Sequence, residues 1–256
     1  MADDGLTECR TVRGPHGKLI DVHQPRSPLA GAAAVLLWHG SSPDDRQVLA
    51  PLARAVARHG VPVFVPDWRP DASDHGRAHL LGSRDFVLRE ADAYGADPER
   101  IVLAGWSAGA PAALALALRA EADGHPPPAA VVGIASRYDV PARTTGTCPL
   151  DDLADTTAAL VPVALVHGTA DTTIAPAHSR TLLSALERTG RPVTLEEVPG
   201  ADHGHVVMAS YDPELGRCRP ATAEHALRAG ETTAQVIVRT AEGRRSRGTN
   251  ASPAAP

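Results

Sequence analysis

A doubly wound, mostly parallel α/β sheet is the fold class predicted by this sequence of 256 residues. Three observations carry the prediction. Continuous apolar runs rich in Val, Ile, Leu and Ala recur along the chain, as strands buried on both faces require. Stretches with helical spacing, about ten to fifteen residues each, separate them in βαβ alternation. No internal repeat or long linker divides the chain. A single domain over residues 1–241 is therefore expected, followed by a polar tail, "EGRRSRGTNASPAAP", predicted to be disordered over 242–256.

The elements follow in order. "ECRTV" and "GKLIDVHQP" read as two strands paired across the "RGPHG" turn. "AAAVLLWHG" is a buried strand that ends at His39-Gly40. "DDRQVLAPLARAVARHG" places Val48, Leu52, Ala55 and Val56 on one helical face, with Gly60 as its C-cap. "VPVFVPDW" is the next strand and "RAHLLGSRDFVLREADAYG" the next helix. "RIVLAGW", the helix "APAALALALRAEADG" and the strand "AAVVGIA" come next. After a less regular piece, Ser136 to Leu160, the alternation resumes with "PVALVHG", the helix "AHSRTLLSALERTG" and the strand "PVTLEEVPG". A last helix is expected over Pro220 to Ala241. The stretch "YDPELGRCRPA" fits no element of this scheme.

Composition narrows the function. The formal net charge is -5, and no basic stripe precedes the extreme C-terminus, which argues against a nucleic-acid partner. No apolar run approaches the roughly 18 residues of a membrane span, and "MADDGLTECRTV" does not read as a signal peptide. A cytoplasmic protein without membrane association is expected. Cys9, Cys148 and Cys218 show no metal-ligand spacing and read as unpaired thiols, with a Cys148–Cys218 bridge left open. The acidic pairs Asp44-Asp45 and Asp151-Asp152 lack calcium-loop spacing and read as helix-start charges. No metal is expected.

In doubly wound sheets, ligands bind beyond the carboxyl ends of the strands. Ser107 stands at such an end, in Gly105-Trp106-Ser107-Ala108-Gly109. This is G-x-S-x-G, a sharp strand-to-helix turn that projects the serine hydroxyl above the sheet. Glycines two residues before and after the serine leave room where the turn closes on itself. The Ala108 N–H then sits at a helix N-terminus, aimed where an oxyanion would form. A serine hydroxyl needs a base, and the base needs an orienting acid. Other strand ends offer Asp171, after "VALVHG", and His203 and His205, in "ADHGHVV".

The motifs "WHGSS", "PDWRPD", "GWSAG", "HGTADTTI" and "DHGH" together make the chain similar to the α/β-hydrolase superfamily. It most resembles the branch of small serine esterases and dienelactone-hydrolase-like proteins. The resemblance spans roughly His16 to Thr240. It implies an eight-stranded, mostly parallel sheet and hydrolysis of a carboxylic ester or thioester of a small soluble substrate, with no cofactor. The family order, serine then acid then histidine, implies Ser107 as nucleophile, Asp171 as acid and His203 as base. His205 and Asp139 are the competing base and acid. The second oxyanion donor falls on the N–H of Ser41, or of Ser42. The nucleophile is serine and not the cysteine of dienelactone hydrolases, so their substrate does not carry over.

Trp106, Trp68 and Tyr138 are the aromatic side chains placed to contact substrate. For Trp68 the alternative is packing beneath a helix, with Arg69 paired to Asp71 or Asp74. Residues 136–160 are expected to form a short cap, too small for a multi-helix lid. An acyltransferase or cyclase on the same residues, and a non-catalytic ligand-binding protein of this fold, are the competing functions.

Overall fold

The computed structural model describes residues 5–29, 31–155 and 161–243. The proposed tail beyond Gly243 and the end of the cap segment, 156–160, lie outside these residues.

Eight strands form one sheet: β1 (Thr7–Arg13), β2 (Leu19–Pro25), β3 (Ala32–Trp38), β4 (Val63–Pro66), β5 (Ala96–Trp106), β6 (Ala130–Ile134), β7 (Val163–Gly168) and β8 (Val193–Val198). Their spatial order is β1-β2-β4-β3-β5-β6-β7-β8. β1 pairs with β2 and β2 with β4 in antiparallel fashion, and every other pairing is parallel. The predicted first hairpin and the parallel remainder are both present. All seven residues of β3 and all six of β7 are buried, as strands covered on both faces must be.

The helices are α1 (Ala50–Ala57), α2 (Arg77–Glu90), α3 (Gly109–Arg119), α4 (Pro149–Asp155), α5 (Ala177–Arg188) and α6 (Glu224–Glu242). They divide the core into two apolar clusters, one on each face of the sheet. α1 and α6 cover Val35, Leu37, Val102 and Val132, while α2, α3 and α5 cover Leu36, Leu103, Val131 and Leu165. Alternate residues along each strand thus feed opposite layers.

"YDPELGRCRPA" folds as a separate two-stranded hairpin, β9 (Ala209–Asp212) and β10 (Arg217–Pro220), with Arg217 opposite Asp212 and Cys218 opposite Tyr211. Its base is pinned by the Ala209 N–H donating to the Gly204 carbonyl and the Ala221 N–H to that of Met208. The cap segment behaves differently. Over residues 136–155 it packs down on the fold: α4 lies against α3 and α5, and the Thr144 hydroxyl donates to the Ala112 carbonyl.

Candidate active site

Ser107 follows β5 with φ of +53°, a left-handed conformation that few non-glycine residues adopt. Holding a serine there costs about 1–3 kcal/mol, which the surrounding contacts must offset. The Ser107 N–H donates to the Ile134 carbonyl at 2.9 Å, and its own carbonyl accepts from the Ser136 hydroxyl at 2.7 Å. The flanking glycines are sterically required. A Cβ on Gly105 would stand 2.2 Å from the Gly109 carbonyl oxygen, and one on Gly109 would stand 2.5 Å from that of Trp38. Backbone atoms cannot yield at such distances, so the turn closes only with glycine at both positions.

Asp171, just beyond β7, is buried and gathers donors on both carboxylate oxygens. Oδ1 accepts from the N–H groups of Thr173 and Ile174 at 2.8 and 2.9 Å. Oδ2 faces His203 Nδ1 at 2.8 Å and His167 Nε2 at 3.3 Å. Burial alone would raise this carboxyl. The hydrogen bonds from His167, His203 and the Ile174 N–H outweigh it and hold the group far below the usual carboxylate range. His167 is a site residue that motif reading missed. Its Nε2 lies 2.9 Å from the Ile174 carbonyl, which can only accept, so Nε2 carries the proton and Nδ1 accepts from the Ser179 hydroxyl at 2.7 Å. The only signal in the sequence was a histidine closing a buried strand four residues before the acid.

His203 is held from two further sides. Trp106 Nε1 donates to its carbonyl at 2.9 Å, and the indole lies 5.2 Å from the imidazole, centre to centre. Trp106 therefore positions the histidine loop and also lines the cleft. His205 points elsewhere. Its Nδ1 lies 3.3 Å from an Asp202 oxygen and its ring packs edge-on against His225 at 4.7 Å. Asp139 pairs with Arg137 at 2.8 Å and faces His178, away from His203.

The loop after β3 is anchored by a second buried histidine. His39 Nδ1–H donates to the Gly40 carbonyl at 3.0 Å, and its Nε2 accepts from the Asp45 and Trp68 N–H groups at 3.3 and 3.2 Å. Burial lowers His39 to about 4, so the ring is neutral at pH 7 and its Nε2 lone pair stays available. Because the Gly40 carbonyl turns toward His39, the N–H across the same trans peptide, that of Ser41, points away from the ring. Among the described residues, no acceptor is found for the Ser41 or Ala108 N–H. Arg46 fastens the far end of this loop, 3.0 Å from Asp21 of β2 and 2.6 Å from Asp67.

Two of the aromatic residues expected at the substrate are elsewhere. Trp68 is fully buried, stacked on His39 at 5.4 Å with its Nε1 donating to the His39 carbonyl. Arg69 forks onto Asp71, so the packing alternative describes this loop. Tyr138 is also buried, its ring inserted against Gly133, where a Cβ would lie 2.1 Å from the hydroxyl. Both bury large apolar rings in the core rather than line the site. The three cysteines are free, and Cys148 and Cys218 form no bridge.

Ser107, His203, Trp106, Ser41 and Ser42 share a cleft of about 380 Å³ with Thr172, Thr173, Tyr211, Arg217 and Cys218. Residues 136–155 contribute nothing to this lining, and the β9–β10 hairpin supplies that wall. Larger hollows, of about 450 and 520 Å³, lie at the amino ends of the strands and hold neither Ser107 nor His203. Among the described residues, no group of acidic, histidine or cysteine side chains is arranged to hold a metal ion, and no helix is long and apolar enough to cross a membrane.

Asp45, beside His39, gives a test of this loop's electrostatics. Burial pushes its carboxyl up to about 6, against the opposing pull of Arg217 and the Ser42 hydroxyl. The unfolded value is about 3.9, so the native state retains a proton that the unfolded chain has lost, and stability falls as pH rises through that window. Asp45→Asn removes this cost. It is expected to raise Tm at pH 7.5 by about 2–4 °C, and by less at pH 5, in scanning calorimetry.

Two family profiles match the chain, one described as the alpha/beta hydrolase fold over residues 50–156 and one as the prolyl oligopeptidase family over residues 143–214. A search of curated proteins by sequence finds no match. Among solved structures, a bacterial heroin esterase aligns with TM-score 0.65 at 20% identity, covering 94% of this chain and 86% of its own. A truncated carbohydrate esterase from gut microbiota aligns with TM-score 0.68 at 13% identity, covering 93% and 98%. Esterase 2 of Thermogutta terrifontis, phosphorylated by paraoxon, aligns with TM-score 0.68 at 17% identity, covering 92% and 93%. Strand order, the glycine-boxed turn at Ser107 and these likenesses place the chain in the α/β-hydrolase fold.

Proposed function

We propose that this protein is a serine carboxylester hydrolase acting on small, soluble acyl substrates. One observation carries the reading: a serine on a strained strand-to-helix turn shares a cleft with a histidine whose Nδ1 is bonded to a buried carboxylate. Asp171 is ionised and can only accept, so His203 Nδ1 carries the proton and Nε2 presents its lone pair. His203 Nε2 takes the Ser107 hydroxyl proton as Oγ bonds to the acyl carbon. The N–H groups of Ala108 and Ser41 receive the negative charge that develops on the carbonyl oxygen. The imidazolium then protonates the departing alkoxide, and water repeats the cycle on the acyl-enzyme. The hydroxyl-bearing lining residues, and a described cap segment, 136–155, that adds nothing to the cleft, favour soluble esters. Three unpaired thiols suit a reducing compartment, and the cytoplasm is the proposed location.

Paraoxon phosphorylates the Thermogutta esterase, which makes a fluorophosphonate the fitting probe. Wild-type protein is expected to be labelled once, at Ser107, and to release p-nitrophenol from acetate and butyrate esters. Parallel thioester and amide substrates, with and without an added alcohol, assign the leaving group and the acceptor. Neither labelling nor turnover with any of them would refute the reading. His203→Ala is expected to lower kcat by about a thousandfold or more, whereas His205→Ala, which touches Asp202 and His225, costs no more than about tenfold. The reverse order in steady-state kinetics would identify His205 as the base.

A further inference from the structure

Several exposed arginines of this fold have their guanidinium taken up closely by a carboxylate. Arg69 forks onto Asp71 and Arg137 onto Asp139, and both Arg180 donors bond one Glu197 oxygen, all at 2.6–3.0 Å. Arg217 is the exception that matters, because it lines the cleft that holds Ser107. Its nearest acid is Asp45 at 3.5 Å, longer than the 2.7–2.9 Å typical of a charge-assisted hydrogen bond, and its side chain is 50% exposed. The Asp45 side chain is itself 9% exposed, set back in the loop behind the cleft. The guanidinium therefore has a weak partner on one side and open cleft on the other.

The rest of the lining sharpens the contrast. Ser41, Ser42, Thr172, Thr173 and Tyr211 offer uncharged hydroxyls. Asp202, the carboxylate among the described lining residues besides the triad, has its Oδ1 taken by the Gly204 and His205 N–H groups at 2.9 and 2.8 Å. Among the described lining residues, Arg217 alone carries a permanent positive charge. Its backbone is held in β10 opposite Asp212, and the hairpin is pinned at its base.

We propose that Arg217 determines specificity, and that the preferred substrate is an ester bearing a carboxylate, bound in the planar, two-pronged geometry that a guanidinium offers. This rests on the esterase reading above. The carboxylate belongs either to the acyl chain or to the alcohol, and two substrate pairs separate these. One pair is mono-p-nitrophenyl adipate and its methyl ester, with the charge on the acyl side. The other is 4-acetoxybenzoate and its methyl ester, with the charge on the alcohol side. Wild-type enzyme is expected to favour the charged member of one pair by about tenfold or more in kcat/KM, chiefly through KM. R217A is expected to lower that ratio by more than about fivefold. Both members are measured on one preparation, so partial unfolding of the variant leaves the ratio unmoved. A wild-type ratio near one in both pairs, or a smaller fall in R217A, overturns the assignment and leaves the esterase reading standing. If wild-type enzyme turns over none of the four esters, this assignment fails, and if it also takes no fluorophosphonate label and turns over none of the simple acyl substrates, the esterase reading fails with it.

Discussion

Ser107→Ala is expected to abolish fluorophosphonate labelling and to lower kcat by at least about a thousandfold. The residual rate would come from the Ser41 and Ala108 N–H groups and from substrate binding, neither of which needs the hydroxyl. Alanine at this position inherits the same +53° φ, so the strain of the turn remains. Ser107→Gly is also expected to be inactive, yet about 1 kcal/mol more stable than the alanine variant, because glycine accepts a positive φ without cost. Thermal melts of the two inactive proteins read out that strain separately from chemistry. Undiminished hydrolysis in Ser107→Ala would remove the nucleophile assignment.

Asp171→Asn is expected to cost roughly three to four orders of magnitude in kcat while leaving the protein folded. The direction follows from the donors already in place. The Thr173 and Ile174 N–H groups both point at Oδ1, so an asparagine must keep its carbonyl oxygen there. Its NH2 then occupies the Oδ2 position and faces His203 Nδ1. That histidine can satisfy the amide only by moving its proton to Nε2, and Nε2 is then no longer a base. Stability shifts as well. The native Asp171 carboxyl titrates below its unfolded value of about 3.9, so its contribution is full above about pH 4 and is lost as pH falls through the native value. The Tm gap between wild type and Asp171→Asn should accordingly narrow between pH 5 and pH 2.5. Asp139→Asn, which breaks only contacts to Arg137 and His178, serves as the control, with activity expected within about threefold of wild type.

The mostly parallel α/β sheet and the turn at Ser107 were legible because patterns along the chain point to them. A run such as "AAAVLLW" suits a strand covered on both faces, and glycine at 105 is demanded by a backbone contact four residues away, while glycine at 109 is demanded by the carbonyls of Trp38 and His39 at the end of β3. Asp171 and His203 were readable for a similar reason, standing at strand ends where the fold leaves polar groups open. Trp68 and Tyr138 were misjudged because an aromatic residue near a strand end reads alike whether it turns outward or inward. The space that admits Tyr138 is made by Gly133 in β6, on which the chain folds back, and the one that seats Trp68 is made by His39. His167 was overlooked for a third reason: its role depends on the return of the chain at Ile174 and Ser179, which no local pattern encodes. The β9–β10 hairpin is polar and short-stranded, and it is held by contacts at Gly204 and Met208 rather than by apolar alternation.

That hairpin separates two kinds of evolutionary constraint. Its base is locked: a Cβ on Gly204 would press to 2.8 Å on the Ala209 carbonyl, and one on Gly230 of α6 would meet Met208 at 2.2 Å. Its tip is freer only at its side chains: Tyr211 and Leu215 stand largely in solvent, whereas Gly216 is kept glycine by a φ of +63° and Asp212 holds the turn through the Glu214 and Leu215 N–H groups. Side-chain changes at Tyr211, Leu215 and Arg217 can therefore alter which molecules enter the cleft, while Ser107, Asp171 and His203 keep supports drawn from other parts of the chain. A combinatorial library confined to Tyr211, Leu215 and Arg217 would sample new selectivities with few unfolded members.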